Sequence, residues 1–467
     1  MRTSKVKLVT MLFSIFVLTT ACTEEGEFID QEEITSATES IELSDSTTNL
    51  ITDWMSLLLE LDQNTTGMRP NATARSLAYI NLAAYETAVF SMDEYISNEK
   101  KLRGFDINNR ERADNVDVDL ALNAVYAKVL DHFMYNVVNG VETKISTLEN
   151  NLEQQLSSNL SIDVVNASKE WGAYVANQVI KYAKSDKEAE KQILEPQPLS
   201  YEPEVADGYW TYSADPERAL FPYWKSVRTF VISSKETSSL PPIEYSEDVN
   251  SDYYAQMLEV YNVNNTARAE DNEDLWIAEF WSDDVEELMI SPPGRQISIA
   301  KQLIEQYNLS YDRALTMLLK VGFALNDAAV STWADKYEYM VMRPNVYIHE
   351  FIDAEYQTNL YRLVYWPNPS FPGYPSGHST FASAAAGVFI EEFGDATDFT
   401  DITHQGRTEF RGTPRTFTTF SEMARENAFS RIPLGVHIRM DCEEGLRLGY
   451  EISNAVNNYD LQVGTNQ

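Results

Sequence analysis

The chain is predicted to be all-α: a helix-on-helix bundle of ten or more helices with one long irregular insertion. Three observations predict it. Apolar residues recur at 4- and 7-residue steps, the spacing of one helix face. No stretch of the first half sustains the two-residue alternation of a strand. Prolines crowd into 187–250 and leave the flanks free for helices. At 467 residues the chain can form one large domain or two. Its 72 acids against 36 bases give a net charge of −36. Such a surface is soluble and excludes non-specific nucleic-acid binding, which needs basic charge. Against that background a local gathering of Arg and Lys stands out.

Residues 1–21 are organised as an export signal. Arg2, Lys5 and Lys7 are basic, and 8–17 is apolar but too short for a membrane span. Leu18-Thr19-Thr20-Ala21-Cys22 resembles a bacterial lipobox, with Thr19 where Leu is usual. The resemblance implies a lipidated Cys22; a plain cleaved signal is the alternative. The expected location is exported and membrane-anchored, periplasmic or on the cell surface. Residues 22–48, rich in Glu, Asp, Ser and Thr, predict a disordered acidic tether. The folded domain is expected over 49–460. Cys22 and Cys442 are the two cysteines, so no intrachain disulfide is expected if Cys22 is lipidated. Cys442 reads as a small buried residue.

From Asn49 onward the elements follow in order. Residues 50–61 form a short apolar helix. In 71–92, Leu77, Ala84 and Ala88 form one row and Ala78, Tyr85 and Val89 its neighbour, with small alanines that permit close helix contact. Residues 117–135 and 164–182 read alike, with a more polar helix at 141–160 between them. The interval 187–250 carries seven prolines and dense aromatics, among them Trp210, Phe221 and Trp224. It is either a lid over a site or an ordered wrap. Helices resume at 252–263, 270–281 and 296–307. The last long one, 311–336, is apolar through 317–330 except at Lys320, Asn326 and Asp327, and so is buried on most sides.

Three short blocks follow. In the first, Lys336 and Arg343 stand seven apart, close to two helical turns, so both can point one way until Pro344 ends the helix. Two neighbouring cations repel, and an anion between them relieves it. In the second, Pro375-Ser376-Gly377-His378 is a turn opening a helix from Ser379 to about Phe393. Free N–H groups there attract anions, Gly377 permits close approach, and His378 can move a proton. In the third, His437 and Asp441 are four apart and share a helix face, which lets the carboxylate hold Nδ1–H and free Nε2. Pro433 and Gly435 put Arg431 on the loop entering that helix. Each block alone is equally served by solvated charges, a plain helix cap or a surface His–Asp pair. Together they place two of the chain's five histidines beside three fixed cations.

Lys336-x6-Arg343-Pro344, Pro375-Ser376-Gly377-His378 and Ser430-Arg431-x5-His437-x3-Asp441 resemble the signature shared by vanadium-dependent haloperoxidases and the type 2 phosphatidic acid phosphatase superfamily. Trp333, three before Lys336, and Phe371-Pro-x-Tyr374 are similar to the chloroperoxidase type. Residues 75–89, Pro222-Tyr223-Trp224 and the segment from Trp281 to Asp284 also resemble haloperoxidase-like proteins, so the resemblance spans most of 50–457. It implies two four-helix bundles, with the catalytic half at about 311–457. It implies vanadate held by Lys336, Arg343, Arg431, Ser376 and the Gly377 N–H, with His437 bonding the metal and Asp441 orienting His437. His378 would be the acid–base residue, Lys336 would also polarise peroxide, and Trp333 and Phe371 would line the halide side. The implied activity oxidises a halide with hydrogen peroxide to hypohalous acid, iodide or bromide rather than chloride. A phosphomonoesterase on the same oxyanion site is the alternative, with His437 as nucleophile, His378 as general acid and phosphate otherwise a competing anion. A non-catalytic surface lipoprotein is a third reading. An oligomer is permitted, not required.

Overall fold

The computed structural model describes residues 31–107, 112–213, 217–233, 237–361 and 367–464. The expected export signal and Cys22 lie outside them. Six helices form the first part: α1 (Gln31–Gln63), α2 (Asn71–Ala88), α3 (Val118–Phe133), α4 (Thr143–Leu156), α5 (Ile162–Lys184) and α6 (Lys187–Leu194). Then come α7 (Asp252–Glu270), α8 (Glu273–Phe280), α9 (Pro292–Tyr307) and α10 (Tyr311–Tyr339). The last part holds α11 (Pro344–Phe351), α12 (Gly377–Phe393), the antiparallel pair β1 (Phe399–Asp401) and β2 (Arg415–Phe417), α13 (Phe420–Phe429), α14 (Arg431–Leu434) and α15 (Arg439–Asn457).

The all-α prediction holds, and the helices form bundles. In the first, α2, α3 and α5 pack on one another and α10 packs on α2. The predicted row Leu77, Ala84 and Ala88 is fully buried in α2, as are Ala78 and Tyr85. In the second, α12 packs on α10, α13 and α15. There a Cβ on Gly449 of α15 would stand 2.4 Å from Thr380 O, so glycine sets how closely α12 and α15 approach. At their N-terminal ends Ser376 N–H donates to Asp441 O at 2.9 Å, which locks two of the three sequence blocks together. Helix α10 serves both bundles, and this explains its apolar surface all round.

The 187–250 interval is a wrap pinned to the bundles rather than a loose lid. Asp327, a polar interruption of α10, accepts three backbone N–H bonds from Phe230, Val231 and Ile232 at 2.8, 2.8 and 3.0 Å. Asp335 accepts from Ser239 N and Glu444 from Leu240 N. A buried carboxylate far from any partner would be costly, and these N–H groups satisfy it.

Several sequence expectations are corrected. Of the expected tether 22–48, residues 22–30 lie outside the described ones and 31–48 are helical, with no Pro or Gly from Gln31 to Asn49 to interrupt the backbone ladder. Residues 31–43 belong to a unit separate from the body that begins at Ser44. Helix α9 starts at Pro292, four residues earlier than expected, because Ser291 caps it and prolines fit a first turn that lacks N–H partners. Helices α6 and α11 and the β1–β2 pair carry too little periodicity to be read from sequence.

Candidate functional site

The end of α10 supplies the first block. Met340 takes a left-handed conformation, φ 51°, and stops the helix three residues short of Arg343. Lys336 and Arg343 therefore do not share a helix face, as their spacing suggested. Arg343 is the N-cap residue of α11, with Pro344 in its first turn. Lys336 Nζ, fully buried, donates to the carbonyls of Pro372, Gly373 and Pro375 at 3.0, 2.9 and 2.5 Å. Its three N–H bonds thus fasten the turn that carries the second block. Arg343 donates to Phe371 O and Val436 O, both at 2.9 Å, while its Nη2 is buried without a partner.

Ser376 is the N-cap of α12, its Oγ accepting from Ser379 N at 3.4 Å, and Gly377 is the first helical residue. The third block differs from expectation. Arg431 opens the one-turn α14, and His437 lies just before the Ile438 N-cap of α15, outside the helix. Asp441, three residues past that cap, turns its carboxylate back. Oδ2 accepts from Ile438 N at 3.2 Å and from His437 Nδ1 at 3.0 Å. The predicted His–Asp pair forms, but through helix capping rather than a shared face.

The proton positions follow from these partners. His437 donates from Nδ1 to Asp441, so Nε2 carries the lone pair, which accepts from Arg343 Nη1 at 3.1 Å. His378 donates from Nε2 to Ser282 O at 3.0 Å, which leaves Nδ1 as acceptor. Burial, then Arg431, holds the His378 pKa down to about 3, partly opposed by Asp284. Burial and the neighbouring Arg343 and Lys336 push His437 well below the usual histidine range. Burial pushes Asp441 up to about 6, opposed by Lys336 and Arg343. Burial lowers Arg343 to about 9. Burial and Arg343 lower Lys336, while Asp441 and three carbonyl acceptors favour its charged form. The site is thus a buried concentration of positive charge, three cations beside two histidines, that Asp284 and Asp441 offset only in part.

Above it opens a cavity of about 300 Å³, lined by Gly377, His378, Arg431 and His437 on its polar side and by Trp333, Phe371 and Phe381 on an aromatic wall. The Trp333 and Phe371 ring centroids are 4.9 Å apart. Pro196, Gln197 and Leu220 of the wrap complete the wall, and Trp333 Nε1 donates to Leu220 O. Ser376, Lys336, Arg343 and Asp441 sit behind this surface. Sequence reasoning missed Asp284, whose Oδ2 accepts from Arg431 Nη2 at 2.7 Å and whose Oδ1 stands 3.9 Å from His378 Nε2. It lies in a segment quoted only for resemblance, with no spacing to tie it to Arg431, 147 positions away.

The residues present fit an oxyanion. Arg343 Nη2 and Arg431 Nε are buried N–H groups with no partner, a costly arrangement that an anion's oxygens would satisfy. Among the described residues no group of three His, Cys, Asp or Glu side chains could hold a bare cation.

Residues 316–463 match the family model of the VCPO second helical-bundle domain. The fold is similar to the crystal structure of a bacterial vanadium-dependent iodoperoxidase, with TM-score 0.79 and 25% identity over 90% of this chain and 98% of that one. It is also similar to bacterial vanadium-dependent chloroperoxidase in holo form, with TM-score 0.64 and 16% identity over 84% of this chain and 91% of that one. The apo form gives TM-score 0.62 and 16% identity over 84% and 94%. No curated protein matches the sequence. These findings support the vanadium haloperoxidase family.

Proposed function

We propose that this chain, a helical-bundle protein of the vanadium haloperoxidase family, is a vanadate-dependent haloperoxidase that uses hydrogen peroxide to oxidise iodide or bromide. The observation that carries the reading is the pair of unpartnered buried N–H groups, Arg343 Nη2 and Arg431 Nε, beside a histidine whose Nε2 is kept unprotonated by the Nδ1–Asp441 bond. When bound, vanadate supplies Lewis-acid activation of peroxide oxygen. Arg343 and Arg431 hold its oxygens, with the first-turn N–H groups of α12 and the charge of Lys336 in support. His437 offers Nε2 to the metal, and Asp441 keeps the imidazole proton on the far nitrogen. Lys336 acts mainly by holding the 372–375 turn, because its N–H bonds are already taken there.

His378 is the proton carrier. Its Nδ1 would accept a proton from incoming peroxide and return it to the hydroxide that departs as water. Burial suppresses protonation of His378, and so do Arg431 and Lys336. An anion in the same cage offsets them and lifts His378 toward the range where it both takes and gives a proton. Trp333 and Phe371 form the dry wall on which a large, soft halide can rest. Through the export signal and Cys22 the enzyme would act outside the cytoplasm, on a lipid anchor.

The test is direct. Protein loaded with orthovanadate is assayed for peroxide-dependent oxidation of iodide and bromide. Bound vanadate with no halide oxidised at any pH would sink the reading. Vanadate-inhibited hydrolysis of an aryl phosphate would replace it with the phosphomonoesterase.

A further inference from the structure

Three carboxylates belong to the cavity wall: Asp283, Asp284 and Glu286. Two are neutralised. Asp283 pairs with Arg295 at 2.8 Å and Asp284 with Arg431 at 2.7 Å. Glu286 makes no ion pair among the described residues; its Oε1 accepts the Gly67 N–H at 2.9 Å. Arg69, the cation that acts on it, also lines the cavity but turns its N–H groups to the carbonyls of Asp62, Gln63 and Met289 at 3.0, 3.3 and 2.6 Å. Asp62 and Glu287 add further negative charge around Glu286. The wall of a cavity built for anions therefore carries one uncompensated acid.

That acid is held in place at a cost. The turn around it contains Asp283 at φ 47° and Glu287 at φ 64°, both left-handed without being glycine. Such residues persist only where the surroundings over-determine them, and they gather at functional sites. Here the Arg295 pair fixes one end, and Glu287 N–H bonded to Gln63 O at 2.9 Å fixes the other.

We infer that Glu286 is a specificity-determining residue, whose unpaired carboxylate disfavours multiply charged anions more than halide and leaves neutral peroxide and hypohalous acid unhindered. Coulomb repulsion scales with the charge of the incoming ion, so a phosphate dianion meets about twice the opposition that a halide meets. The same cage would otherwise bind phosphate, which has the shape of vanadate. Burial raises the Glu286 carboxyl, opposed by the Gly67 N–H and Arg69, so the discrimination fades as acid protonates it.

Only the identity of the small anion rests on the haloperoxidase reading. The test compares wild type with Glu286→Gln, which keeps an oxygen for Gly67 N–H and should melt at the same temperature. Calorimetric titration of the unloaded full chain with inorganic phosphate near pH 8 should show about tenfold tighter binding in the variant, narrowing with added neutral salt. In vanadate-loaded protein the iodide KM should fall about threefold and the peroxide KM stay within about twofold. Equal phosphate affinity in the two proteins would overturn the assignment. A phosphate difference without iodide oxidation by the loaded wild type would uphold it and remove the haloperoxidase reading instead.

Discussion

Arg295 and Arg343 are both fully buried arginines, one beside the site and one within it. Arg295 is completed by the protein. It pairs with Asp283 at 2.8 Å and Asp401 at 3.0 Å, and its remaining Nη2 bonds reach Phe280 O and His404 Nε2. Burial alone would lower its pKa, but the two carboxylates more than offset this and raise it. Arg343 has carbonyls and a histidine nitrogen as partners, forms no ion pair among the described residues, and keeps Nη2 bare. Its pKa falls to about 9. The arginine beside the site has its charge answered within the fold, and the one within the site does not. The two are coupled, because Arg295 holds Asp283 while the adjoining Ser282 and Asp284 position His378 and Arg431.

The sharpest way to break this comparison is Arg295→Ala. It would leave Asp283 and Asp401 buried without their cation, at a cost of about 3–5 kcal/mol in denaturant unfolding. Arg343→Ala should cost far less, or stabilise the anion-free protein; equal losses would erase the distinction. Next in size is His378→Ala, which removes a proton carrier but no anion donor. Vanadate should still bind while turnover falls about 10²- to 10⁴-fold. Smaller is Arg343→Lys, which keeps the charge but loses the planar fork. Phosphate or vanadate affinity should weaken about tenfold, with a smaller ligand-induced rise in melting temperature than in wild type.

The last contrast is in pH. His378 is 6.5 when unperturbed and is held down to about 3 in the fold by burial and then Arg431. The unfolded chain then binds more protons between these values, so stability falls as pH drops from about 6.5 toward 3. Saturating phosphate should flatten that slope, and His378→Asn should remove its share. A melting series over pH with and without phosphate checks both.

How much of this was legible beforehand depended on distance along the chain. The helices were legible because burial repeats every 3.6 residues, as in the rows of α2 and the apolar run of α10. The clustering of the candidate residues was also legible, since three short spacings gathered Lys336, Arg343, Ser376, His378, Arg431, His437 and Asp441, all of which the fold brings to one place. Their attachment was less so. A spacing of seven suggested a helix that ends at Tyr339, and a spacing of four suggested a shared face where the structure uses a cap.

By itself, then, the sequence determined the helical class, the buried α10 and the cast of charged residues, because local periods and short motifs encode them. Tertiary structure alone decided which cations are neutralised and which are left open. Asp284 meets Arg431 across 147 residues, Arg295 meets Asp401 across 106, and Glu286 stands on the cavity wall with no such partner. Those pairings arise from how whole helices and one pinned turn pack. Charge compensation across such separations leaves no trace in any short window of sequence.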